Sequence, residues 1–277
     1  MRNWFAGFCL LCCAGAHAAE LMLLSAVPVE LFERSTPGYA PVAMVQQVLK
    51  YYPAPYKIES VSLNRAFAEL NSRPGACVVG VRKTPQRQRD YLFSLPYIIA
   101  PDIRLMVKTG SPWVGRLKAL QDKDGRVSLQ QLLALAEPPV LVTEDGRSYG
   151  AAMDPALAGY RQQHPAYVKT AKVSRFGDTI PMLQKGYADL VLEYPAALNT
   201  TELAVLQSFR LKEADPYALA YFACKRDAET AALLQQLDSA IAQFRQQPEF
   251  KTLLLDIYAP AEREHVWQVW QQLSSQD

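Results

Sequence analysis

Residues 80–97 read GVRKTPQRQRDYLFSLPY. An apolar run, ACVVGV at 76–81, leads into four cations, Arg82, Lys83, Arg87 and Arg89, set around a Thr-Pro turn, and an aromatic strip from Tyr91 to Tyr97 closes the stretch. Taken alone, such a cluster reads as a basic patch facing a polyanion. Placed at the carboxyl end of a parallel strand, the same residues become a basic loop on the floor of a cleft. What the chain does on either side decides between the two.

Upstream, LMLLSAV at 21–27 is an apolar strand ended by Pro28. PVAMVQQVLKYY is a helix that starts at Pro41, after the turn residues Pro37 and Gly38, because proline suits the first helical position. YKIESVSL predicts a second strand, NRAFAELNS a short helix capped by Asn64, and ACVVGV a third strand opened by Pro74 and Gly75. This is a βαβαβ unit whose third strand delivers the basic loop. Downstream, IIAPDIRLMVK is extended, VSLQQLLALA helical, PVLVTEDG a strand, YGAAMDPALAGYRQQ a helix, YVKTAKV a strand, DTIPMLQKG a helix closed by Gly186, and ADLVLEY a strand. PYALAYFACK is a long strand, and a helical tail follows with Leu233, Leu237, Ile241 and Phe244 at helical spacing. The alternation predicts an α/β fold with mostly parallel sheets. Extended crossings near 97–108 and 215–224 predict two lobes joined by a two-strand hinge. Residues 20–101 and 219–277 form a discontinuous first lobe, and 102–218 form the second. A cleft lies between such lobes, and hinge closure around a ligand is a recognised mechanism.

The first nineteen residues, MRNWFAGFCLLCCAGAHAA, carry Arg2, an apolar run from Trp4 to Ala14 and a small-x-small Ala16-His17-Ala18 sequence. That pattern predicts a cleaved secretory signal peptide, with the mature protein exported to the periplasm. The apolar run is shorter than the roughly 20 residues of a membrane anchor, and no small residue precedes Cys9, Cys12 or Cys13 as a lipid-modified cysteine would want. Of 29 basic residues one leaves with the leader, so 28 face 27 acidic ones, a balance that argues against nucleic acid or an anionic membrane as partner. Cys77 and Cys224 alone remain after cleavage, and a disulfide or two separate buried thiols are equally open on composition.

Three stretches taken together carry a resemblance. NRAFAELNS through GVRKTPQRQRDYLFSLPY and IRLMVKTG, followed by EDGRSYG and MLQKGYADLVLEY, resembles the family 3 periplasmic solute-binding proteins, the amino-acid-binding type of the class II fold. That family has a T-x-x-R element after the third strand and an F-S-x-P-Y segment beyond it. By position, Arg87 matches the arginine that grips a ligand's α-carboxylate, for which a planar, permanently charged guanidinium is well suited; by spacing alone it would read as a solvated loop arginine. Ser148 matches a hydroxyl at a helix N-terminus that binds the same carboxylate, its plain alternative being an ordinary N-cap. Phe32 and Tyr39 fall near the family's aromatic walls, while Phe93 and Tyr97 read as packing or hinge residues. Two positions depart from the pattern. Where amino-acid binders place an aspartate for the α-ammonium, this chain has Tyr194, with Glu193 one residue earlier and so on the opposite strand face. Arg82 stands where a small hydroxyl residue is common. Arg82, Arg87 and Arg147 would make the cleft locally positive, which suits an anionic ligand. In this fold the returning strand runs beside the third, so the resemblance also implies a Cys77–Cys224 disulfide.

The resemblance therefore implies a periplasmic binding protein that closes on a small, anionic or carboxylate-bearing solute for ABC-type uptake or sensing. It would act as a monomer without cofactor or metal, with a membrane permease or receptor as partner. Two other readings stay in view. An enzyme on the same fold, of lyase or dehydratase type, needs a positioned acid or base. His164 and His265 read as surface residues, Glu144, Asp145 and Glu193 are not paired at a telling spacing, and EREHVWQV lacks the second histidine of a zinc-protease helix. A sensory or interaction module docking to a membrane protein would draw on Trp267 and Trp270 in the amphipathic tail.

Overall fold

A computed structural model describes residues 20–33, 40–173, 177–195, 198 and 200–276. The signal peptide expected at 1–19, with its three cysteines, and Tyr39 lie outside the described residues. Twelve strands are described in chain order: β1 (Leu21–Ser25), β2 (Tyr56–Ser60), β3 (Ala76–Val81), β4 (Tyr91–Phe93), β5 (Ile98–Pro101), β6 (Arg104–Lys108), β7 (Arg126–Val127), β8 (Leu141–Glu144), β9 (Val168–Ala171), β10 (Leu190–Glu193), β11 (Leu206–Leu211) and β12 (Tyr217–Lys225). They form two sheets, one ordered β2-β1-β3-β12-β4 with β5 also paired to β12, the other β7-β11-β6-β10-β8-β9.

Each sheet is the floor of one lobe, and helices cover both. The first sheet opens as the sequence predicts, with β1 parallel to β2 and β3. The expectation of mostly parallel sheets needs correction. β12 runs antiparallel to β3, β4 and β5, and β6 runs antiparallel to β10 and β11, so the described pairs divide evenly between the two senses. The cause is the double crossing. A chain that leaves the first lobe through β5 and returns through β12 must pass itself in opposite directions, and Tyr217–Ala220 pair with Ile98–Pro101 where it does so.

Local signals account for the helix starts. Ser62, not Asn64, caps the helix Leu63–Leu70, accepting the Arg65 N–H. The TPQR segment, expected as a loop, is the start of a short helix, Pro85–Asp90, with Thr84 as its N-cap and proline at the first turn. In the tail, Ala228–Arg245 is capped by Asp227 and buries Leu233, Leu237, Ile241 and Phe244, the four residues whose spacing marks it as a helix. Those side chains join Leu21, Leu23, Phe222, Phe250 and Trp270 in the first lobe's core. Trp270 is buried there, and Trp267 packs against the same core, so the tail's aromatics hold it on the first sheet. A second core lies on one face of the second sheet, built from residues such as Leu105, Leu132, Leu141, Tyr149, Leu190 and Phe209.

Cys224 on β12 stands opposite Cys77 on β3, and the two are joined by a disulfide that spans 147 positions of sequence. No helix among the described residues is long and apolar enough to cross a membrane.

Candidate functional site

β3 ends at the cleft with Gly80 and Val81, and Arg82 follows it. The Thr84 hydroxyl oxygen accepts the Arg87 N–H at 3.2 Å, so the N-cap that starts the short helix also fixes the backbone from which Arg87 extends. The Arg87 guanidinium donates through Nη1 to the Arg82 carbonyl (3.0 Å) and through Nη2, across the cleft, to the Gly146 carbonyl (2.8 Å). The Phe67 ring lies 4.4 Å from its centre, a favourable stacking arrangement. Burial pushes the Arg87 pKa down to about 10, against the pull of Asp154 and Tyr91, so the group is a cation at neutral pH.

Arg82 bridges the same gap. Its Nε donates to the Tyr194 hydroxyl at 3.2 Å and its Nη1 to Asp215 Oδ2 at 2.8 Å, while Nη2 is buried without a hydrogen-bond partner. Burial disfavours its charge, but Tyr194 and Asp215 favour it, and the balance raises the pKa. Gly150 makes this approach feasible. A Cβ there would lie 2.6 Å from Asp215 Oδ2 and 2.9 Å from Arg82 Nη1. A fourth bridge joins Asn64 Nδ2 to Asp145 Oδ2 at 2.9 Å, so Asn64, expected as a helix cap, instead reaches the opposite lobe.

Arg147 lies deeper, with its side chain 6% exposed. It makes a two-point contact with Glu193, 2.9 and 2.6 Å, and a third bond to Glu144 at 3.2 Å, while its guanidinium lies 5.7 Å from the Tyr149 ring and 5.2 Å from the Tyr194 ring. Two carboxylates therefore share one guanidinium in a buried site. Burial pushes the Glu144 pKa up to about 7 despite Arg147, with Glu193 adding to the rise.

These side chains enclose a cavity of about 130 Å³, lined on its apolar side by Phe32, Val42, Val45, Leu63, Val79, Ile98 and Ile257 and on its polar side by Arg82, Arg87, Arg147, Ser148 and Tyr194. A larger, more open cleft of about 760 Å³ shares Arg82, Arg87, Arg147 and Ser148 with this cavity and is bordered also by Phe67, Lys83, Asp90, Asp154, Asp215 and Tyr221. No group of three or more His, Cys, Asp or Glu among the described residues is placed to hold a metal ion.

The model of the bacterial extracellular solute-binding proteins, family 3, matches residues 32–257. The chain belongs to this family. Among solved structures it is similar to a putative L-cystine ABC transporter protein from Listeria monocytogenes, at 16% identity, covering 86% of this chain and 94% of that one with a TM-score of 0.61. It is also similar to the arginine-, lysine-, histidine-binding protein ArtJ from Geobacillus stearothermophilus, at 14% identity over 88% of this chain and 99% of that one, TM-score 0.59. A histidine kinase sensor domain with similarity to periplasmic binding proteins aligns as well, at 12% identity over 87% and 96% of the two chains, TM-score 0.59. At such identities the likeness shows the fold, which is the two-lobe fold of this family. A search of the curated proteins finds no match.

Of the residues singled out in the sequence, Arg82, Arg87, Arg147, Ser148, Tyr194 and Phe32 line one cavity. Two of them, Arg147 and Ser148, differ from expectation in their surroundings. Arg147 does not recharge the cleft, because Glu193 and Glu144 neutralise it. Glu193, named as a candidate contact but expected on the strand face opposite Tyr194, is fully buried and does not line the cavity. Ser148 is not at a helix N-terminus: the next helix begins at Met153, and the Ser148 hydroxyl donates to Asp154 Oδ2 at 2.6 Å. Neither His164 nor His265 lines the cavity; each lies against a tyrosine ring, Tyr160 and Tyr217 respectively. Sequence reading missed Asp215 and Gly150. The signal for Gly150 was present as a glycine two residues beyond Ser148, whereas Asp215 lies 133 positions from its partner with no local mark.

Proposed function

We propose that this family member is a binding protein that closes its two lobes on a small, anionic or carboxylate-bearing solute. It works in the periplasm after removal of its leader, as a monomer, and presents the solute to a permease or receptor in the membrane. The observation that carries the reading is Arg87. Its guanidinium is held in the cavity wall by two carbonyl oxygens and an aromatic face, and no carboxylate of the described residues lies within ion-pair distance of it. A half-buried cation so placed is stabilised by an anion that arrives from outside, and each charge-assisted hydrogen bond to it contributes roughly 1.5 to 3 kcal/mol.

Uptake is supported by the ABC-transport roles of similar structures, and sensing by the histidine kinase sensor domain of the same fold. The residues at the lobe boundary also support a closing molecule. Asn64, Arg82 and Arg87 from the first lobe meet Asp145, Tyr194 and Gly146 from the second, and a ligand seated among them adds contacts to both sides at once.

A thermal-shift screen of residues 20–277 against small carboxylates and inorganic anions tests the proposal, since a ligand bound only by the native state raises its melting temperature. Stabilisation by one or more carboxylates that disappears in Arg87→Ala is expected. Stabilisation that persists unchanged in Arg87→Ala refutes the assignment of the site, and consumption of the ligand would move the reading to an enzyme.

A further inference from the structure

We propose that the solute is a small apolar monocarboxylate that lacks an α-ammonium group. This rests on the anion-binding reading above and narrows it by the charge and shape of the cavity.

Charge is considered first. Among the described residues, none of those lining the cavity is an aspartate or glutamate. The nearby carboxylates are engaged elsewhere: Glu193 and Glu144 on Arg147, Asp215 on Arg82, and Asp154 on the Ser148 hydroxyl and the Tyr149 N–H. An ammonium group entering the cavity would meet arginines, a few hydroxyls and apolar side chains, with no carboxylate on the lining, and would have to leave its hydration behind. Of the three arginines on the wall, Arg147 and Arg82 are ion-paired with acids, which leaves Arg87 as the guanidinium with no carboxylate of the described residues in ion-pair contact, open to a ligand carboxylate. Arg82 adds a donor in its buried, unpartnered Nη2, while Asp215 offsets its charge.

Shape gives the remainder of the ligand. The wall opposite the arginines is aliphatic, with Val42, Val45, Val79 and Ile98 among its members. At about 130 Å³ the cavity is close to the size, about 150 Å³, of an apolar cavity that takes up benzene. A branched tail of about five carbons or a single ring fills such a space, whereas a second carboxylate would face the aliphatic wall.

Calorimetric titration of residues 20–277 with matched pairs that differ only in the ammonium group tests this. The probes are 4-methylpentanoate against L-leucine, 3-phenylpropanoate against L-phenylalanine, and glutarate as a dicarboxylate. At least one ammonium-free monocarboxylate is expected to bind about 100-fold tighter than its amino acid, and tighter than glutarate. An amino acid that binds as well as its ammonium-free partner, or better, overturns the ligand class and leaves the carboxylate site standing. Tighter binding of glutarate overturns the monocarboxylate assignment alone. If no carboxylate of any kind binds, the anion-binding reading itself fails, and this inference with it.

Discussion

Arg87 is fixed in place without being neutralised, since carbonyl oxygens orient its guanidinium but do not cancel its charge. Lysine at this position keeps the charge and loses the planar fork that serves two carbonyls and a ligand together. Arg87→Lys is therefore expected to weaken carboxylate binding at least about tenfold in the same titrations, and an unchanged affinity would show that only net charge matters. Glu144 sets a different test. The folded chain holds its proton up to about pH 7, while the unfolded chain releases it near the ordinary value of 4.5. Between those values the folded state binds more protons, so this residue's contribution to stability falls as pH rises through the window. Glu144→Gln stays neutral throughout. Its melting temperature relative to the wild type is expected to rise from pH 5 to about pH 7 and level off above it, by the equivalent of roughly 2 to 3 kcal/mol, and parallel curves for the two proteins would contradict this.

The helix Pro85–Asp90 has only six residues and none of them is buried, so its Thr84 cap and first-turn proline supply much of its stability. Thr84→Ala is expected to lower stability by about 1 kcal/mol and also to weaken carboxylate binding, because Arg87 extends from the turn that the cap holds; a stability loss with full affinity would separate the two roles. This helix also shows what the sequence made legible. Strands such as β3 announce themselves as continuous apolar runs, and the tail helix by four apolar residues at helical spacing. A short exposed helix carries no apolar periodicity, and its only marks, a threonine followed by proline, were equally consistent with a loop. Arg82, Arg87 and Tyr194 could be placed at the cleft because they follow strand ends. Their charge state was not legible, since Glu193 lies 46 positions from Arg147 and Asp215 lies 133 from Arg82, and such pairings exist only once the two sheets are assembled.

At the scale of the whole molecule, the lobes meet through a few polar bridges, and Gly150 is the point at which crowding would part them. Its φ of +116° is strained for other residues, and an added Cβ would press on both members of the Arg82–Asp215 pair. Gly150→Ala is expected to shift the chain toward an open form, read as a larger radius of gyration in solution scattering. Gly159→Ala, where a Cβ meets nothing within 4 Å, is expected to leave that radius unchanged, and identical radii for all three proteins would refute the latch. The Cys77–Cys224 bond has a mechanical consequence as well. Tension applied at residues 20 and 276 passes from β3 to β12 through the sulfur atoms and bypasses the second sheet and the cleft. Pulled in an oxidising buffer, the molecule should release only the length outside the bond. A reductant should add a further extension of about 500 Å, from 147 positions at roughly 3.5 Å each.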